Sequence, residues 1–130
     1  MIGYVTLGAN DLETARTFYS QVLGLMGAGE IMRMPNGYTM YGTDFGTKPA
    51  LAVTHPHNQE PATYGNGTMI SLQADSRDQV DAVYGKALEL GGSCEGKPGL
   101  RGDEGPQAFY AAYFRDPEGN KLCAFRIGGA

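Results

Sequence analysis

The second half of this chain repeats the first at a fixed offset, and that repeat constrains its fold more than any local motif does. Leu7, Ala9, Tyr19, Leu23, Leu25, Gly27 and Glu30 recur as Leu72, Ala74, Tyr84, Leu88, Leu90, Gly92 and Glu95, each 65 positions later. The identities fall at matching points of a strand, a helix and a turn, so coincidence is a poor account of them. One polypeptide therefore carries two copies of a single supersecondary unit. A unit that cannot bury its apolar face alone must pack against its copy, so a binding site is expected where the copies meet.

In the first copy, Met1–Leu7 is a short apolar run with β-branched Ile2, Val5 and Thr6 and reads as a strand. Gly8-Ala9-Asn10-Asp11 then supplies turn and capping chemistry, since Asn10 or Asp11 can accept from the free amides of a helix start. Leu12, Ala15, Phe18, Tyr19, Val22 and Leu23 follow at spacings of three and four, the signature of one buried helix stripe. Three strands are predicted beyond it, Glu30–Met34, Tyr38–Thr43 and Ala50–Thr54, separated by Pro35-Asn36-Gly37 and by Asp44–Pro49. The unit reads βαβββ.

The second copy keeps that order. A strand is predicted over Thr68–Ala74, a helix over Arg77–Leu90 after a cap at Asp75 or Ser76, and the last two strands over Phe109–Arg115 and Lys121–Ile127. Matching Tyr38, Tyr41, Asp44 and Ala52 to Tyr110, Tyr113, Asp116 and Ala124 requires an offset of 72, which places a seven-residue insertion between Glu95 and Tyr110. The Gly-rich stretch Lys97–Gln107 is its evident location, and long loops in compact domains are more often functional than idle. His55–Gly65, with two prolines, reads as a linker between modules 1–55 and 66–130 of a single domain, 1–130.

Composition excludes several partner classes. With 130 residues, 42% of them hydrophobic, the chain can bury a core without staples. A net charge of −4 with no cluster of Lys or Arg argues against nucleic acid or an anionic membrane as the partner. No apolar stretch approaches the length of a membrane span. Two cysteines, Cys94 and Cys123, are too few for a disulfide framework, and the N-terminus lacks a basic segment followed by an apolar run, so a cytoplasmic protein is expected.

Paired βαβββ modules, the start Gly3-Tyr4-Val5-Thr6-Leu7-Gly8-Ala9-Asn10-Asp11-Leu12, then Phe18-Tyr19 and Leu23-Gly24, and the ending Phe114-Arg115-Asp116-Pro117-Glu118-Gly119-Asn120-Lys121 together resemble the glyoxalase, bleomycin-resistance and extradiol-dioxygenase superfamily, also called vicinal oxygen chelate. The resemblance covers the whole chain. It implies an α+β fold in which two tandem βαβββ modules form an incomplete barrel around a ligand cavity, and it implies a homodimer. It is specific for fold and weak for activity, because members isomerise, cleave or merely sequester small molecules.

Catalytic members of that family hold a divalent metal with one side chain from the first strand and one from the last strand of each module. The positions matching that pattern are Tyr4 and Met69 on the first strands, Cys123 on the last, three residues past Asn120, and Leu51 as its first-module counterpart. Such metals need imidazole or carboxylate donors, which a phenol, an alkyl group, a thioether and a lone thiol do not replace. No metal and no cofactor is therefore expected, and without a Lewis acid the family's extradiol and ordinary glyoxalase chemistry loses its main electrostatic contribution.

The remaining candidates are weaker. His55 and His57, two apart across Pro56, could share one face of an extended segment, but only Glu60 lies nearby to complete a metal site, and a solvated pair is the better reading. Cys123 lacks a base or cation to activate it and reads as a buried, inert thiol. Tyr4, Tyr38, Tyr41, Phe109, Tyr110 and Tyr113 form an aromatic set of which alternation lets only part line a cavity. Tyrosines with Met32, Met34 and Met69 nearby suit a flat apolar ligand, and Arg33, Arg101 and Arg115 could add a positive contact at the rim, Arg101 from the inserted loop. The expectation is a metal-independent small-molecule binder using Tyr4, Leu51, Met69, Cys123, Tyr113 and Arg101, with no catalytic residue assigned. A glyoxalase-like lyase or isomerase with a non-standard site is the alternative.

Overall fold

The computed structural model describes residues 1–130. The chain order is β1 (Tyr4–Gly8), α1 (Leu12–Gly24), β2 (Gly29–Arg33), β3 (Thr39–Gly42), β4 (Ala50–Thr54), β5 (Ile70–Gln73), α2 (Arg77–Glu89), β6 (Ser93–Leu100), β7 (Phe109–Arg115) and β8 (Lys121–Ile127). Each module is thus βαβββ. Each forms a four-stranded sheet, ordered β1-β4-β3-β2 in the first and β5-β8-β7-β6 in the second, with the first strand of each parallel to the last. The sheets remain open, and the unpaired edges of β1 and β5 are not hydrogen-bonded to each other.

Local chemistry accounts for both helices. Asp11 caps α1 by accepting from the Thr14 amide at 3.1 Å, and Leu12, Ala15, Phe18, Tyr19, Val22 and Leu23 bury its stripe. Ser76 caps α2 by accepting from the Gln79 backbone amide at 3.1 Å, while the Gln79 side-chain Oε1 accepts from the Asp75 amide at 2.8 Å. The chain leaves α2 through Gly91 and Gly92. A Cβ on Gly92 would lie 2.5 Å from the Arg115 carbonyl oxygen, so only glycine lets β7 pass this close.

One apolar core of 19 buried residues runs through both modules between the helices and the sheets. It includes Leu51 and Val53 of β4, Tyr41 of β3, Leu122 and Ala124 of β8, and Phe114 of β7. The opposite face of the first sheet carries a smaller cluster, Met40, Ala50 and Ala52 under Tyr38. Polar bonds join the modules at the β7–β8 turn. Glu118 accepts from the Asp11 amide at 2.9 Å and from Asn10 at 3.1 Å, and Asn120 donates to the Gly8 carbonyl at 3.2 Å.

The structure corrects three readings. The segment assigned to a loop from Lys97 is partly strand, because β6 extends to Leu100 with two register shifts, between Cys94 and Gly96 and between Gly96 and Gly99. Those bulges absorb extra residues inside the ladder, and glycine-rich sequence hid the strand. The linker, too, is bound rather than free: Ala62 donates to Asn10 at 2.7 Å, and the Tyr64 ring lies 5.2 Å from the Arg115 guanidinium carbon.

The third correction concerns register. Cys123 pairs with Ser71 and Tyr113, and the first-module residue with equivalent pairing is Ala52, between Thr6 and Met40. The Ala9 amide bonds the Thr54 carbonyl just as the Ala74 amide bonds that of Phe125. The last strands are therefore related by an offset of 71, not 72, and Leu51 is the counterpart of Leu122. Because side chains alternate, one residue of slip moves Leu51 from the Cys123-like face to the helix-facing core. Tyr41 likewise matches Phe114 in that core rather than Tyr113.

Candidate functional site

Between the sheets lies a cavity of about 870 Å³. Val5, Tyr41 and Leu51 line it from the first module, joined by Leu23 and Met26 near the end of α1. Met69, just before β5, and Ile70, Ser71, Leu72 and Gln73 along the length of β5 line it from the second. Its existence follows from topology: neither β1 nor β5 acquires a second strand neighbour, so the gap between them is walled by apolar side chains of both sheets.

Met69 and Leu51, chosen from the sequence, meet in this cavity. Leu51 enters from the helix-facing side, as the corrected register requires. Tyr4 does not line it; its ring is about half exposed and packs edge-on against Phe45 at 5.9 Å. Ile2 and Val5 take the place expected of Tyr4.

Cys123, Tyr113 and Arg101 form a second group, on the helix-averted face of the second sheet. Ser71 joins the two groups, since it lines the cavity and is the ladder partner of Cys123. Burial pushes that thiol above its ordinary range, against the opposing pull of the Ser71 and Tyr113 hydroxyls and of the Arg101 and Lys121 charges. Burial likewise raises the Tyr113 phenol, with the neighbouring Cys123 acting the same way and Arg101 opposing. Neither group is poised as a base or nucleophile near neutral pH.

Arg101 donates to the carbonyls of Gly99 at 2.9 Å and Lys97 at 2.7 Å, which holds its guanidinium 5.4 Å from the Tyr113 ring centre. The Lys121 ammonium lies 5.8 Å from the same ring. Lys121 and Ser71 were missed at the sequence level. Period-two spacing could have found both: Lys121 lies two residues before Cys123, and Ser71 two after Met69.

The positions that hold metal in catalytic relatives do not fit a divalent ion here. Tyr4 and Met69 offer a phenol and a thioether, Ala52 stands where Leu51 was expected, and Cys123 is a protonated thiol beside hydroxyls. No three His, Cys, Asp or Glu side chains converge anywhere in the chain. His55 lies 3.0 Å from the Ala9 carbonyl, next to Asn10, Asp11 and Arg16 and away from the cavity, and His57 is exposed.

The model of the glyoxalase/bleomycin resistance protein/dioxygenase superfamily matches residues 1–124. The chain belongs to that superfamily. A glyoxalase/bleomycin resistance protein from Albidiferax ferrireducens T118 is similar to it in structure, with 37% identity over 97% of this chain and 98% of that one and a TM-score of 0.85. A superfamily enzyme from Burkholderia phytofirmans PsJN (20% identity, 96% and 97% coverage, TM-score 0.70) shares the fold. So does lactoylglutathione lyase from Agrobacterium tumefaciens (21% identity, 97% and 92% coverage, TM-score 0.61). At these identities the last two speak for architecture alone. No curated protein sequence matches the chain.

Proposed function

We propose that this superfamily member is a metal-independent small-molecule binding protein whose ligand occupies the cavity between the modules. The observation that carries the reading is the chemistry of the wall. Val5, Leu51, Met69, Ile70 and Leu72 present apolar surface across a gap large enough for a drug-sized molecule, and the family's ligand positions hold side chains unsuited to a hard cation. Shape and apolar burial would then supply most of the affinity, with Ser71, Tyr113 and Arg101 orienting the polar end.

The same reading makes the protein a cytoplasmic homodimer that needs no nucleic acid or membrane partner. Free Cys94 and Cys123 suit a reducing compartment, and no helix is long and apolar enough to cross a membrane. Exposed Tyr4, Phe45, Ile31, Met32, Met34 and Met69 are apolar surface that a second copy would cover.

The test is calorimetric titration with aromatic compounds, before and after exhaustive dialysis against a chelator. Affinity should survive the chelator. Met69→Trp should abolish ligand-induced thermal stabilisation while leaving the circular dichroism spectrum intact, because the larger ring fills the cavity from an exposed position. Full affinity in Met69→Trp, or loss of binding on chelation, would overturn the reading.

A further inference from the structure

Five of the ten cationic side chains form ion pairs with glutamates: Arg16, Arg33, Arg77, Lys86 and Arg115. The other five, Lys48, Lys97, Arg101, Lys121 and Arg126, have no carboxylate within 4 Å. In a chain of net charge −4 such cations are expected to be neutralised by the surplus of acids. Instead, two of the five line the cavity and two share one aromatic ring on the second sheet. Lys48 and Arg126 line the cavity, and Arg101 and Lys121 stand over the Tyr113 ring, two strands across the ladder from the cavity-lining Ser71, with Cys123 between them.

Arg101 and Lys121 make the stronger case. Two like charges sharing one aromatic neighbour repel, and neither has a carboxylate within 4 Å. Glu95, which feels the Lys121 charge, is itself held by Arg115 at 2.5 Å, and Asp75 lies four residues beyond Ser71 at the cavity wall. The Arg101 guanidinium is nevertheless fixed, because the Lys97 and Gly99 carbonyls accept two of its five N–H groups. Carbonyls orient a cation without cancelling its charge. Three donors remain for an anion, and the orienting cost is met before a ligand arrives.

We propose that the ligand is an amphipathic organic anion, its apolar body in the inter-module cavity and its carboxylate or phosphate group between Arg101 and Lys121 on the Tyr113 face. This inference rests on the binding reading above and adds the ligand's charge and its polarity of entry.

Isothermal titration with 4-biphenylcarboxylate and with the near-isosteric neutral 4-biphenylmethanol separates the two claims. In low salt the acid should bind about tenfold or more tighter than the alcohol. Lys121→Gln should remove most of that preference while leaving the alcohol's affinity unchanged. Arg101→Gln should also weaken the acid about tenfold or more, with circular dichroism confirming that the fold survives, and Lys121→Gln carries the test if it does not. Biphenyl-4-yl phosphate ranks the headgroups, and either anion exceeding the alcohol supports the proposal. Equal affinities for acid and alcohol, both lost in Met69→Trp, would overturn the anion inference and leave the cavity reading intact. Failure of both compounds to bind would sink both.

Discussion

The Tyr19 hydroxyl donates to the Asp116 carboxylate at 2.6 Å, fully buried, and so ties α1 of the first module to the β7–β8 turn of the second. The carboxylate does more than receive it. Its other oxygen accepts from the Glu118 and Asn120 amides at 2.9 Å each, and Asn120, itself bonded to Asp116, reaches across to the Gly8 carbonyl. One carboxylate thereby shapes the turn and holds the modules together, and with them the cavity between their sheets.

Tyr19→Phe should cost about 1–3 kcal/mol in urea unfolding, since it leaves a buried carboxylate short of one donor. The wild type should also lose stability in alkali. Burial, chiefly, and the Asp116 charge hold the Tyr19 phenol well above 10.0, so the folded state keeps a proton that the unfolded state releases. Stability from this group is fully present below about pH 10 and falls as pH rises above it. A denaturation series from pH 8 to 11 in which Tyr19→Phe loses stability as steeply as the wild type would contradict this.

Gly119 closes the same turn at φ +95°, and a Cβ there would lie 2.6 Å from the Tyr64 ring. Gly119→Ala should therefore cost about 1–3 kcal/mol through strain and displacement of the linker. Adding Tyr64→Ala should recover the steric share and leave the backbone share. Strictly additive effects in the double mutant would mean that the ring and the turn are not coupled.

The cysteines should differ sharply toward iodoacetamide. Cys94 is exposed, whereas Cys123 is 1% exposed with its thiol pushed up by burial. Intact-mass spectrometry at pH 8 should show one addition per native chain, at Cys94, and two in urea. Rapid native labelling of Cys123 would reveal an activated thiol and reopen the catalytic alternative.

Homodimerisation is expected from the exposed apolar side chains on the open sheets, Tyr4 with Phe45 among them. Sedimentation velocity at micromolar concentration should give twice the chain mass of 13.9 kDa. A monomer at that concentration would count against it.

Periodicity and capping were legible because they are local. Asn10-Asp11 before Leu12 and Asp75-Ser76 before Arg77 announce helix starts, and the structure takes Asp11 and Ser76 as the caps through bonds closed within one turn. The 65-residue repeat carried the modular architecture, since copies of one unit share one local solution.

Register was not local. Whether the last strands are offset by 71 or 72 depends on how β4 and β8 hydrogen-bond to β1 and β5, and single-residue alternation turns that small difference into opposite faces for Leu51 and Ala52. The bulges of β6, bonded only through β7, were hidden for the same reason. The sequence by itself thus determined the two units, their helices and the side chains available to a site. Only the tertiary structure decided that Leu51 enters the cavity from the core side, that Tyr4 stands outside it, and that Lys121 joins Arg101 over Tyr113, because those pairings are made between segments far apart in the chain.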